Sequence, residues 1–281
     1  MKIYIKNMLL VVALIIIASN INVLTVHAAT QYVDTENNDS DANAQLITAN
    51  SMTYANEVSG STSLYRYVTG SLSDINDNDW YKVYLYSNRD NYFTITGNTG
   101  TLTIEMRNSN GVPTDEFIYG GMSTSNHVFT VHVNESGVYY IHLYHEINIS
   151  SNYRFVIGYP EYHLSSYTYS FGTQTLPARR EWQDSVDLST IADIPDGAIG
   201  YKITLGGCTT SVCSDRLFTN DFYSGWVATR TGYSYNLPVT EASILQQEWG
   251  LRYESSNTTN KTITPQFTIN YVYPDLPLDG Q

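Results

Sequence analysis

The chain has 281 residues, of which 42% are hydrophobic and 15% are charged, and its 27 acidic residues outnumber its 14 basic residues to give a net charge of −13. Nucleic acids and anionic lipids bind proteins through clustered Lys and Arg, so this charge excludes polyanions as expected partners. The length suits one large domain or two ordinary domains.

The N-terminal residues have the pattern of an export signal. Lys2 and Lys6 precede an apolar run that ends at Ala18, and residues 26–28 place small side chains where a signal peptidase cleaves. The apolar run is shorter than the ~20 residues that a membrane span needs. We therefore predict that residues 1–28 are a signal peptide and that the mature protein is secreted to the extracellular space without a membrane anchor. Cleavage would remove two Lys and no acid, which leaves 12 basic and 27 acidic residues and a charge of −15.

Two acidic segments in the first half consist almost entirely of residues whose side chains carry oxygen atoms. They are Asp34–Asp41 and Asp74–Asp79, and the second leads directly into Trp80 and Tyr81. Neither segment contains Lys or Arg, and crowded carboxylates repel one another unless a cation lies between them. Because calcium prefers such oxygen ligands, the two segments could meet at one end of a sheet and share a calcium ion. The alternative is two solvated turns whose Asp and Asn side chains cap backbone amides.

Alternating apolar residues and evenly spaced turns predict an antiparallel β-sandwich in the first half. In the strand that begins after Asp79, the odd positions 81, 83 and 85 suit the core face. The predicted strands, in chain order, are 81–86, 92–96, 101–106, 128–133, 138–144 and 153–157.

The strand pattern restarts after Pro160. The predicted strands are 167–171, 199–205, 222–229, 251–253 and 267–273, and only 242–249 has local helical character. We therefore predict an all-β protein of two consecutive antiparallel, jelly-roll-like β-sandwiches, one over residues 29–160 and the other over residues 161–281, after the signal peptide.

Cys208 and Cys213 are the two cysteines of the chain. In an oxidising compartment, a pair with this spacing beside two glycines is typical of a small loop closed by a disulfide. Two ligands alone would not make a zinc site, and no histidine lies near them in the sequence. We therefore predict a disulfide that shapes a hairpin.

Four segments of the first half share one order and spacing with a known family. They are Glu36-Asn-Asn-Asp39 followed by Ala44 and Leu46; Gly70-Ser-Leu72 leading into Asp77-Asn-Asp79-Trp80-Tyr81; Thr101 to Gly111; and Gly137-Val-Tyr139-Tyr140-Ile141 with Tyr153 opening the last strand. In these segments the chain resembles the bacterial pre-peptidase C-terminal domain, a jelly-roll-like module of secreted peptidases that is related to the collagen-binding modules of bacterial collagenases. The resemblance covers about residues 33–159.

The resemblance implies a calcium ion held between the N-terminal acidic segment and the Asp-rich turn. The ligands that it implies are Glu36, Asn38, Asp39, Asp77 and Asp79, with Asp34 and Asp74 as further candidates. Not every member of the wider family keeps the metal. The resemblance also implies an accessory role beside a secreted peptidase.

Aromatic side chains are the strongest candidates for a binding surface. If the strands at 81–86 and 138–144 share a sheet, their outward positions form a ribbon of flat, amphipathic groups that suits protein or glycan ligands. The members of this ribbon are Trp80, Tyr84, Tyr86, Tyr140, His142 and Tyr144. The alternative is that these groups cover one another as cross-strand pairs. In the second half, Trp226, Tyr233, Tyr235 and Trp249 could line a site or fill a core.

Motifs for catalysis are missing. The sequence has no Gly-x-Ser-x-Gly elbow, no unpaired Cys beside a base and no glycine-rich phosphate loop. His132 and His142 would both face outward, and they could bind a transition metal if they lay diagonally across a hairpin. We predict no catalytic residues.

The expected function is that of a secreted, non-catalytic binding protein that calcium stabilises and that contacts an extracellular protein or polysaccharide. A secreted hydrolase with its site in the second domain stays open, because 27 acids offer many carboxylate pairs. The accessory segment of a secreted peptidase system is the other alternative. The ligand and the oligomeric state do not follow from the sequence.

Overall fold

A computed structural model describes residues 28–97, 101–120, 126–229 and 233–277. The predicted signal peptide up to residue 27 lies outside the described residues. Within them, no helix is long and apolar enough to cross a membrane. Strands make up most of the regular secondary structure of the described residues, which confirms the all-β prediction.

The first sandwich is built from ten strands in the described residues. In chain order they are β1 (Thr30–Val33), β2 (Gln45–Leu46), β3 (Arg66–Leu72), β4 (Asn78–Leu85), β5 (Asn91–Gly97), β6 (Thr101–Asn108), β7 (Pro113–Gly120), β8 (His127–Val131), β9 (Gly137–Tyr144) and β10 (Ser151–Gly158). One sheet has the order β1-β3-β10-β5-β8 and the other β2-β4-β9-β6-β7. The short strands β1 and β2 pair in parallel with β3 and β4, and the other pairs are antiparallel.

The core of this sandwich lies between its two sheets. The odd positions of β4, Tyr81, Val83 and Leu85, are fully buried, as alternation predicted. They pack with Phe93 and Phe155 of the opposite sheet in one hydrophobic cluster. A short helix, α1 (Tyr54–Ser59), lies between β2 and β3.

Ten further strands of the described residues form the second sandwich. They are β11 (Tyr162–Ser170), β12 (Gln174–Leu176), β13 (Glu181–Asp187), β14 (Ile199–Gly206), β15 (Asp215–Asn220), β16 (Val227–Ala228), β17 (Ser234–Asn236), β18 (Glu248–Glu254), β19 (Lys261–Ile263) and β20 (Gln266–Pro274). The sheets have the orders β11-β20-β14-β17, β13-β18-β15-β16 and β12-β19. They enclose a separate core that includes Phe218, Trp249 and Phe267. Residues 159–161 connect the two sandwiches.

Two predictions for the second half were wrong. The segment 242–249 is not a helix, since a 3-10 turn at Glu241–Ser243 is followed by β18. Trp249 belongs to the alternation of core residues along β18, and this tertiary burial overrides local helical preference. Of the strand predicted at 222–229, only residues 227–228 form a strand, β16. The Asn220 side chain accepts hydrogen bonds from the backbone N–H groups of Phe222 and Tyr223, so the chain forms a turn there. The disulfide prediction is confirmed by a Cys208–Cys213 bond. The bond does not shape a hairpin, because β14 before it and β15 after it belong to different sheets.

The sandwiches contact each other through polar and aromatic groups. The Tyr54 ring of α1 lies 4.6 Å from the ring of Tyr162, and its hydroxyl donates to the Gly197 carbonyl at 3.0 Å. Nearby, His163 Nε2 lies 3.0 Å from Asp275 Oδ2. The hydrogen bond with Asp275 raises the pKa of His163, and the same bond lowers the pKa of Asp275 against its burial.

Candidate functional site

The N-terminal arm, residues 34–46, meets the start of β4. The Trp80 N–H donates to the Asn38 carbonyl at 2.9 Å. The Asn38 side-chain amide donates to the Trp80 carbonyl at 3.3 Å and to Asp34 Oδ1 at 3.0 Å. Asn38 is only 2% exposed, so these bonds are shielded from water. The two acidic segments therefore come together at one end of the sheet, as the calcium hypothesis requires; the ion itself stays a prediction.

Two carboxyl groups and two phenols form a buried polar cluster beneath this junction. The Tyr81 hydroxyl donates to Asp34 Oδ1 at 2.8 Å and lies 2.5 Å from the Tyr153 hydroxyl, which in turn donates to Asp79. The Asp34 and Asp79 carboxyl groups also lie close enough to interact. We call these four residues the acid–tyrosine cluster.

Burial determines the protonation of this cluster. Asp79 is 2% exposed, and desolvation raises its pKa far above the ordinary value, with the charges of Asp34 and Asp77 adding to the rise. The hydrogen bond from Tyr153 opposes the rise only in part. Burial likewise raises the pKa values of Tyr81 and Tyr153. The Asp79 carboxyl therefore holds a proton near neutral pH unless a cation takes the place of that proton.

Gly70 makes room for the cluster. It lies opposite Tyr153 in the register of β3 and β10. A Cβ at this position would lie 2.3 Å from the Tyr153 hydroxyl oxygen and 2.9 Å from Asp34 Cβ. Sequence reasoning missed the roles of Gly70 and Tyr153, although both belong to the segments that carry the family resemblance.

The other predicted metal ligands lie at the edge of this cluster or away from it. Asp77 Oδ2 accepts from the Ser73 N–H at 2.6 Å, and Asp74 Oδ1 accepts from the Asn76 N–H at 2.8 Å. Both aspartates thus cap the turn between β3 and β4, which is the role of solvated turns that the sequence left as an alternative.

The remaining predicted ligands, Glu36 and Asp39, are exposed on the arm. In the part of the chain that the structure describes, no group of three or more His, Cys, Asp or Glu side chains is arranged to hold a metal. The donor types at Asp34, Asn38 and Asp79 suit calcium, but backbone carbonyls and water would have to supply much of the six to eight oxygens that calcium takes.

The predicted aromatic ribbon exists, because β4 and β9 are neighbours and place Trp80 directly opposite His142. In one half of the ribbon, the rings pack against one another and shield each other from solvent. The Trp80 and His142 rings stack at 4.1 Å, and the His142 and Tyr144 rings stack at 4.5 Å. The Arg107 guanidinium lies 5.3 Å from the Trp80 ring centroid, and Trp80 is only 8% exposed.

His142 is neutral at physiological pH. Burial lowers its pKa to about 4, against the opposing effect of Glu105. Its Nε2 lies 2.8 Å from Asn78 Oδ1. Trp80, His142 and Tyr144 therefore stabilise the sheet by packing, which corresponds to the cross-strand alternative.

The other half of the ribbon faces solvent. Tyr84 and Tyr86 are 48% and 47% exposed, and their rings meet edge to face at 5.0 Å. Val138, which is 37% exposed, lies opposite Tyr84, and Tyr140 lies opposite Lys82. We call Tyr84, Tyr86, Val138 and Tyr140 the exposed aromatic patch.

His132 and His142, the candidate metal-binding pair across a hairpin, lie on different sheets. His132 follows β8, which belongs to the sheet of β5, whereas His142 lies on β9 in the other sheet. The His132 ring instead lies 2.6 Å from Asp115. The strands are consecutive in sequence but separated by the core, so the two histidines cannot bind one transition metal.

The aromatic residues of the second sandwich divide between core and surface. Trp249 is fully buried and donates from Nε1 to the Leu245 carbonyl at 3.0 Å, and Tyr235 packs against the same core. The Arg216 guanidinium lies 3.3 Å from the ring centroid of Tyr233. Trp226 differs from these, because it lies at a cleft on the outer face of a sheet.

Comparison with known proteins identifies no family. No family model matches the sequence, and no curated protein matches it. A solved structure described as a "putative secreted protein from Eubacterium rectale" aligns at 14% identity with a TM-score of 0.49, over 86% of this chain and 84% of that chain. A structure of tripeptidyl peptidase 2 aligns at 7% identity and a TM-score of 0.28, over 72% of this chain and 22% of that chain. A structure of BuGH86 in complex with neoagarooctaose aligns at 10% identity and a TM-score of 0.26, over 71% and 34%. These alignments carry no argument about function.

Proposed function

We propose that this chain is a secreted, non-catalytic protein that binds another extracellular protein through the exposed aromatic patch. The observation that carries the proposal is the exposure of Tyr84 and Tyr86, each close to one half, on a sheet whose other face is a fully buried core. Tyrosine supplies a large amphipathic contact area at a low entropic cost, and it is enriched at protein interfaces.

The shape and charge of the patch favour a protein over a glycan. The Tyr84 and Tyr86 rings are inclined by 65° to each other, so they offer no coplanar platform for a chain of sugar rings. Val138 adds an aliphatic group between aromatic ones. Arg89, whose guanidinium lies 4.8 Å from the Tyr86 ring centroid, places a cation at the rim that suits an acidic side chain of a partner.

Secretion is supported by the signal-like N-terminus and by the Cys208–Cys213 disulfide, since such bonds persist in oxidising compartments. The proposal includes a structural calcium ion at the arm. Asp34, Asn38 and Asp79 would hold it with help from Asp77, and its charge would offset the repulsion between carboxylates that approach each other without a Lys or Arg. The ion would fix the arm on β4.

The test is a double variant, Tyr84→Ala with Tyr86→Ala, in the full mature chain. Both side chains are exposed, so the melting temperature should change little. Proteins from the culture supernatant and cell surface of the producing organism are captured on wild-type protein, identified, purified and measured by biolayer interferometry. We expect the double variant to bind the purified partner at least about tenfold more weakly.

Ile118→Ala is the matched control, because Ile118 is 63% exposed on β7 of the same sheet but lies outside the patch. Its affinity should equal that of the wild type. Equal affinity of the double variant and the wild type would refute the proposal. Binding of polysaccharide alone, with no protein partner, would also refute it.

A further inference from the structure

A polar cleft of about 390 Å³ lies on the outer face of the sheet β13-β18-β15-β16. Trp249 and Leu251 of β18 point into the core and are fully buried, so Glu248 and Gly250 lie on the opposite, outer face. The neighbouring strands add residues 183–185 and 219–221, and Trp226 completes the lining. We call this site the Trp226 cleft. The pairing of β13 and β15 with β18 thus gathers three distant parts of the second sandwich into one concave surface.

The floor of the cleft is formed by Gly250, which leaves space for the indole ring of Trp226. A Cβ at Gly250 would lie 3.0 Å from Thr219 Cγ2 and 3.3 Å from the Trp226 ring, so glycine lets the ring rest directly on β18. The Arg252 guanidinium lies 5.2 Å from the ring centroid. Thr219 Oγ1 donates to the Gly225 carbonyl at 3.1 Å and holds the turn before Trp226. The ring is therefore positioned before any ligand arrives.

Oxygen acceptors line the same cleft as this ring. The Ser185 hydroxyl donates to Glu248 Oε1, which orients that carboxylate. The Glu248 N–H donates to Asp221 Oδ2 at 3.3 Å. Each carboxylate keeps further lone pairs for a ligand. Gln183, which is exposed on β13, adds an amide that can both donate and accept.

An apolar ring face bordered by hydroxyl, amide and carboxylate groups matches the chemistry of a sugar. A pyranose presents C–H groups on its faces and hydroxyl groups around its rim, and orienting polar groups beside an aromatic surface are the usual composition of a small-molecule site. The carboxylates of Asp221 and Glu248 line the cleft, whereas Asp184, which also borders it, lies opposite the core-facing Leu251 and directs its side chain to the other face of the sheet. Arg252 beside Trp226 is already paired with Glu254, so the charge that Asp221 and Glu248 present to a ligand is negative. Anionic sugars would be repelled by this charge.

A basic peptide is the competing ligand for a site with an indole and two carboxylates. Arg252 of the chain itself already makes the cation–π contact with Trp226, and it is held there by Glu254 at 2.8 Å. A second cation at the same ring would meet the charge of Arg252. This arrangement favours an uncharged ligand over a peptide side chain such as Lys.

We propose that the Trp226 cleft binds a neutral oligosaccharide without cleaving it. Trp226 packs against a sugar ring, while Asp221 and Glu248 accept hydrogen bonds from its hydroxyl groups. This site lies on the second sandwich and is independent of the exposed aromatic patch on the first, so either proposal can fail without the other.

The experiment is isothermal titration calorimetry of the full mature chain with neutral hexasaccharides made of glucose, xylose, mannose or N-acetylglucosamine units, and with a hexagalacturonate as the anionic counterpart. We expect one neutral class to bind and the galacturonate not to bind. Trp226→Ala should weaken binding about tenfold or more. Glu248→Gln keeps the shape of the side chain and should weaken binding to a smaller extent, so the result does not depend on the folding of one variant.

Phe222→Ala is the matched control, because Phe222 is a 65% exposed aromatic residue beside Asp221 that does not line the cleft. Its affinity should equal that of the wild type. The proposal is overturned if no neutral hexasaccharide binds at millimolar concentration, if Trp226→Ala binds as well as the wild type, or if a lysine-rich peptide is the ligand that competes at this site. Release of shorter sugars by the wild type but not by Glu248→Gln would overturn the non-catalytic assignment.

Discussion

Replacing Asp79 by Asn tests the electrostatics of the acid–tyrosine cluster. Asn has the shape of a protonated Asp, so its side-chain oxygen can accept from the Tyr153 hydroxyl and its amide can donate to Asp34. It cannot ionise. We therefore expect Asp79→Asn, in the absence of metal ions, to match the wild type in stability at acidic pH and to exceed it at neutral and mildly alkaline pH.

The sign and the size follow from the pKa of Asp79. Burial raises the pKa of this carboxyl from 3.8 to about 8. A group with a raised folded pKa contributes stability that is fully present below the unfolded pKa and is lost as the pH rises through the folded pKa. Each pH unit between these values costs up to about 1.4 kcal/mol, so the wild type should lose about 2 to 3 kcal/mol relative to Asp79→Asn between pH 5 and pH 7. For a chain of this size, this is roughly 4 to 12 °C in melting temperature.

The assay is thermal unfolding followed by circular dichroism at pH 5, 6, 7 and 8 in a chelating buffer. Asp39→Asn is the control, because Asp39 is an exposed carboxylate of the same arm that lies outside the acid–tyrosine cluster. Added calcium should then raise the midpoint of the wild type at pH 7 to 8 and leave Asp79→Asn unchanged. A difference between Asp79→Asn and the wild type that stays constant from pH 5 to pH 8 would refute this view of the cluster.

Gly70→Ala should destabilise the protein by about 1 to 3 kcal/mol, because its Cβ would lie 2.3 Å from the Tyr153 hydroxyl oxygen, whereas Gly120→Ala, with no atom within 4 Å of the added Cβ, should change little. Equal urea midpoints for the two variants would contradict this. At the junction, the raised pKa of His163 means that its stabilising charge is lost as the pH rises above about 6.5. The wild type should therefore lose its advantage over His163→Gln between pH 6 and pH 8, by less than about 1 kcal/mol because His163 is half exposed; an advantage that grows over this range in denaturant titrations would be the contrary result.

Sequence patterns predicted the strands that have one buried face. The alternation of Tyr81, Val83 and Leu85 was readable because a strand with one face on the core repeats every two residues. Strand β7 escaped prediction, since most of its residues are exposed or half-buried at the edge of a sheet and leave no clear alternation. An edge strand buries too few side chains to produce an alternating hydrophobic pattern in the sequence.

The sequence also predicted which parts of the first site come together, but not how they do so. Two acidic segments without Lys or Arg suggested a shared cation, and that hypothesis placed the arm beside the β3–β4 turn. The phenol of Tyr153 could not be foreseen, because it reaches Asp79 only through the pairing of β10 with β3 across Gly70.

By itself, the sequence determined the all-β class, the outward direction of Trp80 and Tyr84, and the disulfide, because each depends on local alternation or close spacing. The tertiary structure alone decided that Trp80 is covered while Tyr84 is exposed, and that residues near 183, 219 and 248 share a cleft. These features depend on the order β13-β18-β15, in which strands far apart in sequence become neighbours. That order is set by side-chain packing across the whole core and by the connections between strands, so it cannot be read from local alternation along the chain.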